Sequence, residues 1–539
     1  MLEIHTVLVA NRGEIALRIF RACAAEGVST VAVVAPDDRG ALHARNADAT
    51  VEIASYLDPA EIVRAAREAR ADAVHPGYGF LSESAELAEA VLGAGLTWVG
   101  PPPTALRAGG DKLAAKRTAE AAGVPVLPSG TPEEVGLPLL VKAAAGGGGR
   151  GMRVVRDEAE LDEAIEAARR EAAAAFGDDT VFFERYLERP RHVEIQLLAD
   201  THGTVVSLGE RDCSIQRRHQ KVLEESPSAA VDPDLRARMS AAAVAFARSI
   251  GYVGAGTAEF VLDGRDFYFL ELNARIQVEH PVTELVTGVD IVREQLRIAR
   301  GEKLVPHRHE PLGHAVEVRL YAEDPRTFLP QAGRVERLRL PSSIRVDAGV
   351  AEGDEIGTSY DPMIAKLIAY ASTRAEAYDR LAAALRETEV GGVTTNVPFL
   401  RWLVAQPLVR AGRTTTAFLT EHPPLSETAP RVADAVWTGA WRLNLAAPPP
   451  TAVPDVDAAA VAQGERTEQS AVTAPMPGTV IKVLTEPGAR VAARQPLVVL
   501  EAMKMETPLV SPYDATVRAV NVSEGDRVVG GAVLVELEE

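Results

Sequence analysis

Thr257-Ala258-Glu259-Phe260-Val261-Leu262, a break at Asp263-Gly264-Arg265-Asp266, and then Phe267-Tyr268-Phe269-Leu270-Glu271 decide how this chain is read. Two short apolar, aromatic and β-branched runs on either side of a glycine-bearing turn predict a β-hairpin. With a loop of three residues, Gly264 to Asp266, the register places Glu259 directly opposite Glu271. Opposed residues have Cβ atoms ~5 Å apart, and two like charges so placed destabilise a sheet. A divalent cation removes that conflict, and Mg²⁺ sits on one or two carboxylates plus substrate phosphates. Beyond the hairpin the second strand is read as continuing in strict alternation. Glu271, Asn273, Arg275, Gln277 and Glu279 then share one face, and Leu272, Ala274, Ile276 and Val278 the other. An ordinary half-buried strand is the plain alternative, but an Asn, an Arg and a Gln set between carboxylates favour a functional face.

Upstream, Val141-Lys142-Ala143 runs into Gly146-Gly147-Gly148-Gly149-Arg150-Gly151. Glycines let a backbone approach phosphate closely and present successive N–H groups to it. Alone, such a run reads equally as a flexible loop. It is not a P-loop, since no Gly-Lys-Ser/Thr follows, and the contiguous glycines do not match a dinucleotide turn. Earlier still, the apolar runs Thr6–Ala10, Val31–Val34 and Ala73–His75 alternate with helical patterns and end in glycine turns. That alternation predicts a parallel sheet covered on both faces, with ligands at loops beyond the carboxyl ends of its strands.

Downstream, residues 446–470 collapse into Ala, Pro, Val and polar residues, a composition that buries too little to order itself. As a coil the segment spans ~28 Å, and in polyproline form up to ~80 Å. After this tether comes an internal repeat at an offset of 37 residues, pairing Val480 with Val517, Val491 with Val528, Leu497 with Leu534, and Leu500 with Leu537. Each copy alternates apolar and polar residues around glycine turns, predicting a small all-β unit with quasi-twofold symmetry. Lys504, in Ala502-Met503-Lys504-Met505, falls at the junction of the two copies, where a hairpin tip is expected.

The chain has 539 residues, 47% of them hydrophobic, and a formal net charge of −19. Two to four soluble domains are expected at this size, and the acidity argues against nucleic acid or an anionic membrane as the main partner. No apolar run approaches the ~20 residues that span a bilayer. Only Cys23 and Cys213 are present, too few for a disulfide framework, which fits a reducing cytoplasm. Cys213 lies beside a basic cluster able to lower its pKa, although an inert buried thiol is the favoured reading.

Pro475-Met476-Pro477-Gly478 followed by Ala502-Met503-Lys504-Met505 resembles the biotinyl carrier domain of biotin-dependent carboxylases, more closely than the related lipoyl domains. Glu271 to Pro281 resembles the signature of biotin carboxylases within the ATP-grasp superfamily. So do His75-Pro76-Gly77-Tyr78-Gly79-Phe80, Gly110-Asp111-Lys112, Arg217-Arg218-His219-Gln220-Lys221, His314 to Arg319, and Tyr360-Asp361-Pro362-Met363-Ile364. The resemblance is to an acyl-CoA carboxylase alpha subunit. It implies an α/β and α+β architecture: a Rossmann-like α/β domain over 1–108, an ATP-grasp domain over 109–330 with a mobile lid at about 127–190, and a biotin carboxylase C-terminal domain over 331–445. The tether and an all-β biotinyl domain over 471–539 complete it.

Carried over residue by residue, the resemblance implies ATP contacts at Lys112, Lys142, Gly148 and Gly149. Adenine is implied at Glu184, Arg185, Tyr186 and Leu187, with His192 and His219 nearby. Mg²⁺ or Mn²⁺ is implied on Glu259 and Glu271 with Asn273, and bicarbonate at Lys221, Arg275, Gln277 and Val278. Glu279 is implied as base, Arg319 and Tyr78 at biotin, and Lys504 as the residue that carries biotin covalently. The implied reaction makes carboxyphosphate from ATP and bicarbonate, then carboxylates biotin. Implied partners are a separate carboxyltransferase (beta) subunit, a biotin protein ligase and, for the carboxylase, a second copy of itself. A different ATP-grasp ligase, or a carrier protein with an inactive ATP-grasp domain, are the alternatives at this stage; Met503-Lys504-Met505 argues against the first and the intact charged set against the second.

Overall fold

Val7, Leu8 and Val9 are buried on both sides of the strand they form, as the uninterrupted apolar run requires of a strand covered on both faces. In the computed structural model this is β1 (Thr6–Val9) of a five-stranded sheet. The model describes residues 2–110, 112–143, 152–176, 179–217, 220–305, 311–425, 471–475, 478–502, 505–528 and 530–538. Backbone contacts divide the chain into two units, one of 1–321, 335–354 and 363–423, the other of 322–334, 355–362 and 424–539.

In the first unit, β1 pairs in parallel with β2 (Ser29–Val34) and with β4 (Ala73–His75); β3 (Ala49–Glu52) and β5 (Thr97–Trp98) extend the sheet to the order β3-β2-β1-β4-β5. The parallel sheet expected from the sequence is thus present. The loop after β4 needs its glycines: Gly77 has φ +64°, and a Cβ there would lie 2.8 Å from Asn11 Nδ2, which holds the loop by donating to the carbonyls of Pro76 and Tyr78.

A second, four-stranded sheet has the order β6-β9-β7-β8, from β6 (Ser129–Gly130), β7 (Leu139–Ala143), β8 (Met152–Val155) and β9 (Val181–Arg185). The helix Leu161–Phe176 closes its core through Ala168 against Leu139, Val141 and Val155. The third sheet is antiparallel and eight-stranded: β10 (Arg191–Ala199), β11 (Val205–Arg217), β12 (Gln220–Ser226), β13 (Gly254–Asp263), β14 (Asp266–Asn273), β15 (His314–Tyr321), and, further along the chain, β18 (Arg345–Ala348) and β20 (Met363–Ala371). Its order is β14-β13-β10-β11-β12-β15-β20-β18. Two small ladders remain, β16 (Gly333–Arg334) with β19 (Glu355–Ile356) in the second unit and β17 (Arg337–Arg339) with β21 (Glu389–Gly391) in the first. One core runs from Val7, Ile15 and Ile19 to Ala255, Ile276 and Leu296, so the parallel sheet is packed against the large one through the segment that carries Ile276.

The hairpin β13–β14 forms with a shorter turn than the sequence reading expects. Asp263 pairs with Asp266, leaving only Gly264 and Arg265 in the turn. Glu259 still pairs with Glu271, because an irregularity between Glu259 and Phe260 takes up Leu270 as an extra residue on β14. The expected strict alternation through Glu279 does not hold: β14 ends at Asn273. The Ala274 N–H is captured by Glu83 Oε1 at 3.0 Å rather than by a strand. The chain then tightens into the helix His280–Thr287, which Pro281 suits in its first turn.

In the second unit the repeat is realised strand for strand. β23 (Gly478–Val483) corresponds to β27 (Ala515–Val520), β24 (Arg490–Val491) to β28 (Arg527–Val528), β25 (Pro496–Ala502) to β29 (Val533–Glu538), and β26 (Met505–Val510) to β22 (Ala471–Thr473). The two four-stranded sheets, β26-β25-β23-β28 and β22-β29-β27-β24, exchange under this correspondence. Their facing residues, among them Val480, Leu497, Leu500, Val517, Leu534 and Leu537, form a single core. Leu500 and Leu537 occupy equivalent places, and Leu500→Ala and Leu537→Ala are expected each to cost ~2–5 kcal/mol, readable as matching losses of melting temperature in the transition of this β unit. Among the described residues no helix is long and apolar enough to cross a membrane.

Candidate active site

One register row crosses four strands of the large sheet: Glu271 on β14, Glu259 on β13, Glu194 on β10 and Arg211 on β11. Three acids side by side repel one another unless cations stand over them. Arg211, with no exposed surface, donates from Nε to Glu194, from Nη1 to Gln196 and Thr283, and from Nη2 to Thr257. Lys221 stands over the middle of the row. Its Nζ donates to Glu194 Oε2 at 2.5 Å, to Glu279 Oε1 at 2.7 Å and to Glu259 Oε1 at 2.9 Å. His192 Nε2 lies 3.0 Å from Glu259 Oε2.

These contacts set the charge states. Burial alone pulls Lys221 down, but its three carboxylates outweigh that and hold the ammonium well above the ordinary lysine range. Burial pushes Glu279 up, while Lys221, Arg319 and Arg211 hold it well below the usual carboxylate range. Glu259 is likewise kept low by Lys221 and His192 against its burial, and His192 is raised because Glu259 outweighs burial. Lys221, Glu259 and Glu279 are therefore ionised at neutral pH, with acceptors and donors fixed in place.

Arg319 on β15 bridges two acids, donating from Nε to Glu224 Oε1 at 2.6 Å and from Nη2 to Glu279 Oε2 at 3.0 Å. Arg275 is held as a fork: Nη2 donates to Asn273 Oδ1 at 2.7 Å, Nη1 to Gln277 Oε1 at 3.0 Å and Nε to Glu83 Oε2 at 3.0 Å. Gln277 Nε2 in turn donates to Glu259 Oε1 at 3.1 Å. Residues 273–279 thus converge although they no longer form a strand.

Tyr78 is joined to this region indirectly. Its hydroxyl donates to Glu14, whose other oxygen lies 3.3 Å from Lys366 Nζ, and Lys366 donates to the Val278 carbonyl at 2.8 Å. On the small sheet, Lys142 donates to Glu184 Oε2 at 2.9 Å, and Lys116 touches the other oxygen of the same buried carboxylate. β9, which bears Glu184, ends at Arg185, and the chain passes through Tyr186 and Leu187 to β10 and so to His192. Cys213 is buried, 3.9 Å from Glu279 Oε1, and burial with Glu194 beside it pushes its thiol well up; the nearby cations do not activate it.

Gly148, Gly149, His219, Lys504 and the tether lie outside the described residues, and of Lys112 only the backbone is described, at the start of the helix Lys112–Ala121. The last described pair of the β25–β26 hairpin is Ala502 with Met505.

Sequence reasoning missed several members. Glu194 had a signal, since His192, Glu194 and Gln196 recur at every second position of an otherwise apolar strand. Lys116 follows Lys112 by one helical turn. A lone lysine within Met363-Ile364-Ala365-Lys366-Leu367-Ile368 marks Lys366 as a buried ion. Glu83 carries no such mark.

Known proteins match along nearly the whole chain. Four family models match in succession: the biotin carboxylase N-terminal domain over 3–106, the ATP-binding domain of the carbamoyl-phosphate synthase L chain over 111–307, the biotin carboxylase C-terminal domain over 317–421, and the biotin-requiring enzyme domain over 470–537. The biotin carboxylase of Halalkalibacterium halodurans is 47% identical over 77% of this chain and 97% of its own length. The biotin-dependent acyl-coenzyme A carboxylase alpha3 subunit of Mycobacterium leprae is 41% identical over 99% of both chains. A solved structure of the biotin carboxylase domain dimer of 2-oxoglutarate carboxylase from Hydrogenobacter thermophilus, in complex with MgADP, ADP and bicarbonate, superposes with a TM-score of 0.76 at 43% identity, over 78% of this chain and 98% of that one. The chain belongs to the biotin-dependent acyl-CoA carboxylase alpha subunits, as a biotin carboxylase of the ATP-grasp superfamily joined to its own biotinyl carrier domain.

Proposed function

We propose that this chain uses ATP and bicarbonate to carboxylate biotin carried on Lys504, and that a separate carboxyltransferase subunit takes the carboxyl group to an acyl-CoA of the acetyl-CoA or propionyl-CoA class. The observation that carries the reading is the single ammonium of Lys221 held between Glu194, Glu259 and Glu279, with Arg319 closing the far side of Glu279. Both cations converge on one buried carboxylate, and a base next to cations stays ionised and ready at neutral pH.

A divalent cation fits the row. Glu259 and Glu271 are register partners whose like charges a cation removes, and Glu259 is ionised throughout the working range. Asn273 reaches the same neighbourhood, its Oδ1 accepting from Arg275 and its buried Nδ2 without a partner among the described residues. When bound there, Mg²⁺ or Mn²⁺ supplies Lewis-acid neutralisation of phosphate charge. Lys112, Lys142, Gly148 and Gly149 hold the phosphates; Glu184, Arg185, Tyr186 and Leu187 hold adenine, with His192 and His219 beside them.

Bicarbonate is gripped by Lys221, by the Arg275 fork, by Gln277 and by the backbone of Val278. Glu279 takes the bicarbonate proton as a bicarbonate oxygen attacks the γ-phosphorus and the bond to ADP breaks. The protein's work in such a transfer is positioning and charge stabilisation. Arg319, with Tyr78 nearby, stabilises the oxygen of the biotin ring on which negative charge develops.

The enzyme is read as cytoplasmic, as loaded by a biotin protein ligase, and as a homodimer of carboxylase domains; the solved relative is itself described as a dimer. The experiment is bicarbonate-dependent cleavage of ATP by the full chain with free biotin as acceptor. Stimulation by biotin that requires both bicarbonate and Mg²⁺ is expected, and ATP cleavage indifferent to bicarbonate overturns the reading.

A further inference from the structure

Glu317 is a buried acid that forms no ion pair or hydrogen bond through its carboxyl group among the described residues. It lies on β15 two residues before Arg319, has no exposed surface, and neither of its carboxyl oxygens meets a hydrogen-bond partner among the described residues. Its register partner on β12 is Glu224, so the two Cβ atoms are ~5 Å apart. Glu224 is also wholly buried; its Oε1 accepts from Arg319, and its Oε2 likewise has no partner. As register partners the two side chains project from the same face of one strand pair, each carrying unmatched oxygens.

The surroundings leave no charge to spare. The groups bearing on Glu317 are Lys366 from β20, Glu224 from β12, Arg319 from its own strand and Glu279 from the segment ahead of the helix His280–Thr287. That helix covers the same face, with Val282 and Val286 against Ala315 and Ile368, and begins with His280, which burial and Lys366 keep neutral. Arg319 is committed to Glu224 and Glu279. Lys366 is committed to the Val278 carbonyl, Glu14 and Asp347. A second unpaired carboxylate in that space takes up a proton rather than remain charged. Burial pushes Glu317 well above the ordinary carboxylate value, Lys366 opposing it and Glu224 adding to it; burial also pushes Glu224 up, to about 7, but Arg319 opposes that rise directly, so the proton is assigned to Glu317.

We propose that Glu317 is a neutral carboxylic acid whose hydroxyl donates to the unmatched oxygen of Glu224, and that this bond holds Glu224 and through it Arg319 in place for the reaction. That one hydrogen bond matches the free oxygen of Glu224 with one of the two oxygens of Glu317. Glu317 is a positioning residue, two contacts away from the reacting groups, and its kinetic role rests on the assignment of Arg319 to the biotin end of the site.

Infrared difference spectra of the full chain, wild type minus Glu317→Gln at neutral pH, are expected to show the carbonyl stretch of a protonated carboxylic acid. A carboxylate band in its place overturns the proposal whatever Arg319 does. In free-biotin carboxylation, Glu317→Leu fills the space and donates nothing; it is expected to lower kcat/KM for biotin about 10–100-fold, the worth of a hydrogen bond to a charged group, with KM for ATP unmoved. Glu317→Gln, whose amide donates the same bond, is expected to recover most of that loss. An acid of raised pKa is neutral at low pH and ionises as pH rises, so the wild type is expected to lose kcat/KM on the alkaline side where Glu317→Gln does not. Equal Leu and Gln variants, or a KM for ATP that moves with that for biotin, overturn the positioning role. Arg319→Gln separates this from the reading beneath it: intact biotin kinetics in that variant sink the assignment of Arg319, whereas impaired kinetics there with silent Glu317 variants sink only the present inference.

Discussion

Glu279→Gln is expected to lower kcat for bicarbonate-dependent ATP cleavage by ~10²–10⁴-fold, the range for removing a positioned general base, with a smaller effect on KM for ATP. The residue is the one acid that both Lys221 and Arg319 address, at 2.7 Å and 3.0 Å. The amide keeps the volume and loses both the charge and the ability to take a proton. Folding should survive at neutral pH, because Lys221 retains Glu194 and Glu259, and Arg319 retains Glu224. The stability difference has a definite sign. A carboxyl held below its ordinary value stabilises the native state above that value, and the contribution is lost as pH falls through the folded-state pKa. Wild type is therefore expected to melt higher than Glu279→Gln at pH 7, with the gap closing as the solution is acidified below the usual carboxylate range. An unchanged kcat, or a gap that widens in acid, contradicts the role given to Glu279.

Lys504→Arg is expected to abolish acyl-CoA carboxylation with the partner subunit, down to the background of the assay, while carboxylation of free biotin persists. Arginine keeps the charge but its guanidinium is not the primary amine to which a ligase joins biotin. Free biotin is no substitute because a carrier joined covalently to the carboxylase meets its site intramolecularly, at an effective concentration that can reach the order of mM, far above what dilute free biotin supplies. Peptide mass spectrometry after expression with a biotin ligase should find one biotin, on the peptide containing Lys504, and none in the variant. Loss of both activities would mean that the carrier and the carboxylase are not independent modules.

Much of the fold is legible from local pattern. Apolar runs around β1, β2 and β4, the glycine turns after them, the hairpin of Glu259 and Glu271, and a repeat of 37 residues are each written within a few dozen neighbouring residues. Local chemistry decides such elements: turn residues, period-two alternation and the φ > 0 that glycine tolerates. Finer features were not legible. The hairpin turn is two residues rather than three, and the pairing of Glu259 with Glu271 survives because Leu270 is bulged out. The strand stops at Asn273, where Glu83, nearly two hundred positions away in sequence, takes the next N–H.

The sequence by itself set Glu259, Arg275 and Glu279 apart through the pattern of one hairpin and the segment after it, while Lys221 and Arg319 were singled out by the family resemblance of their motifs. Only the tertiary structure decided how their charges are matched. Glu194 enters the row because β10 lies between β13 and β11; Glu224 and Glu317 meet because β12 pairs with β15; Lys366 reaches Val278 from β20. The physical reason is that turn and strand preferences act over a few residues, whereas the protonation and direction of a buried ion depend on every charge within several ångströms, and those come from strands that the sheet order, not the chain order, makes neighbours.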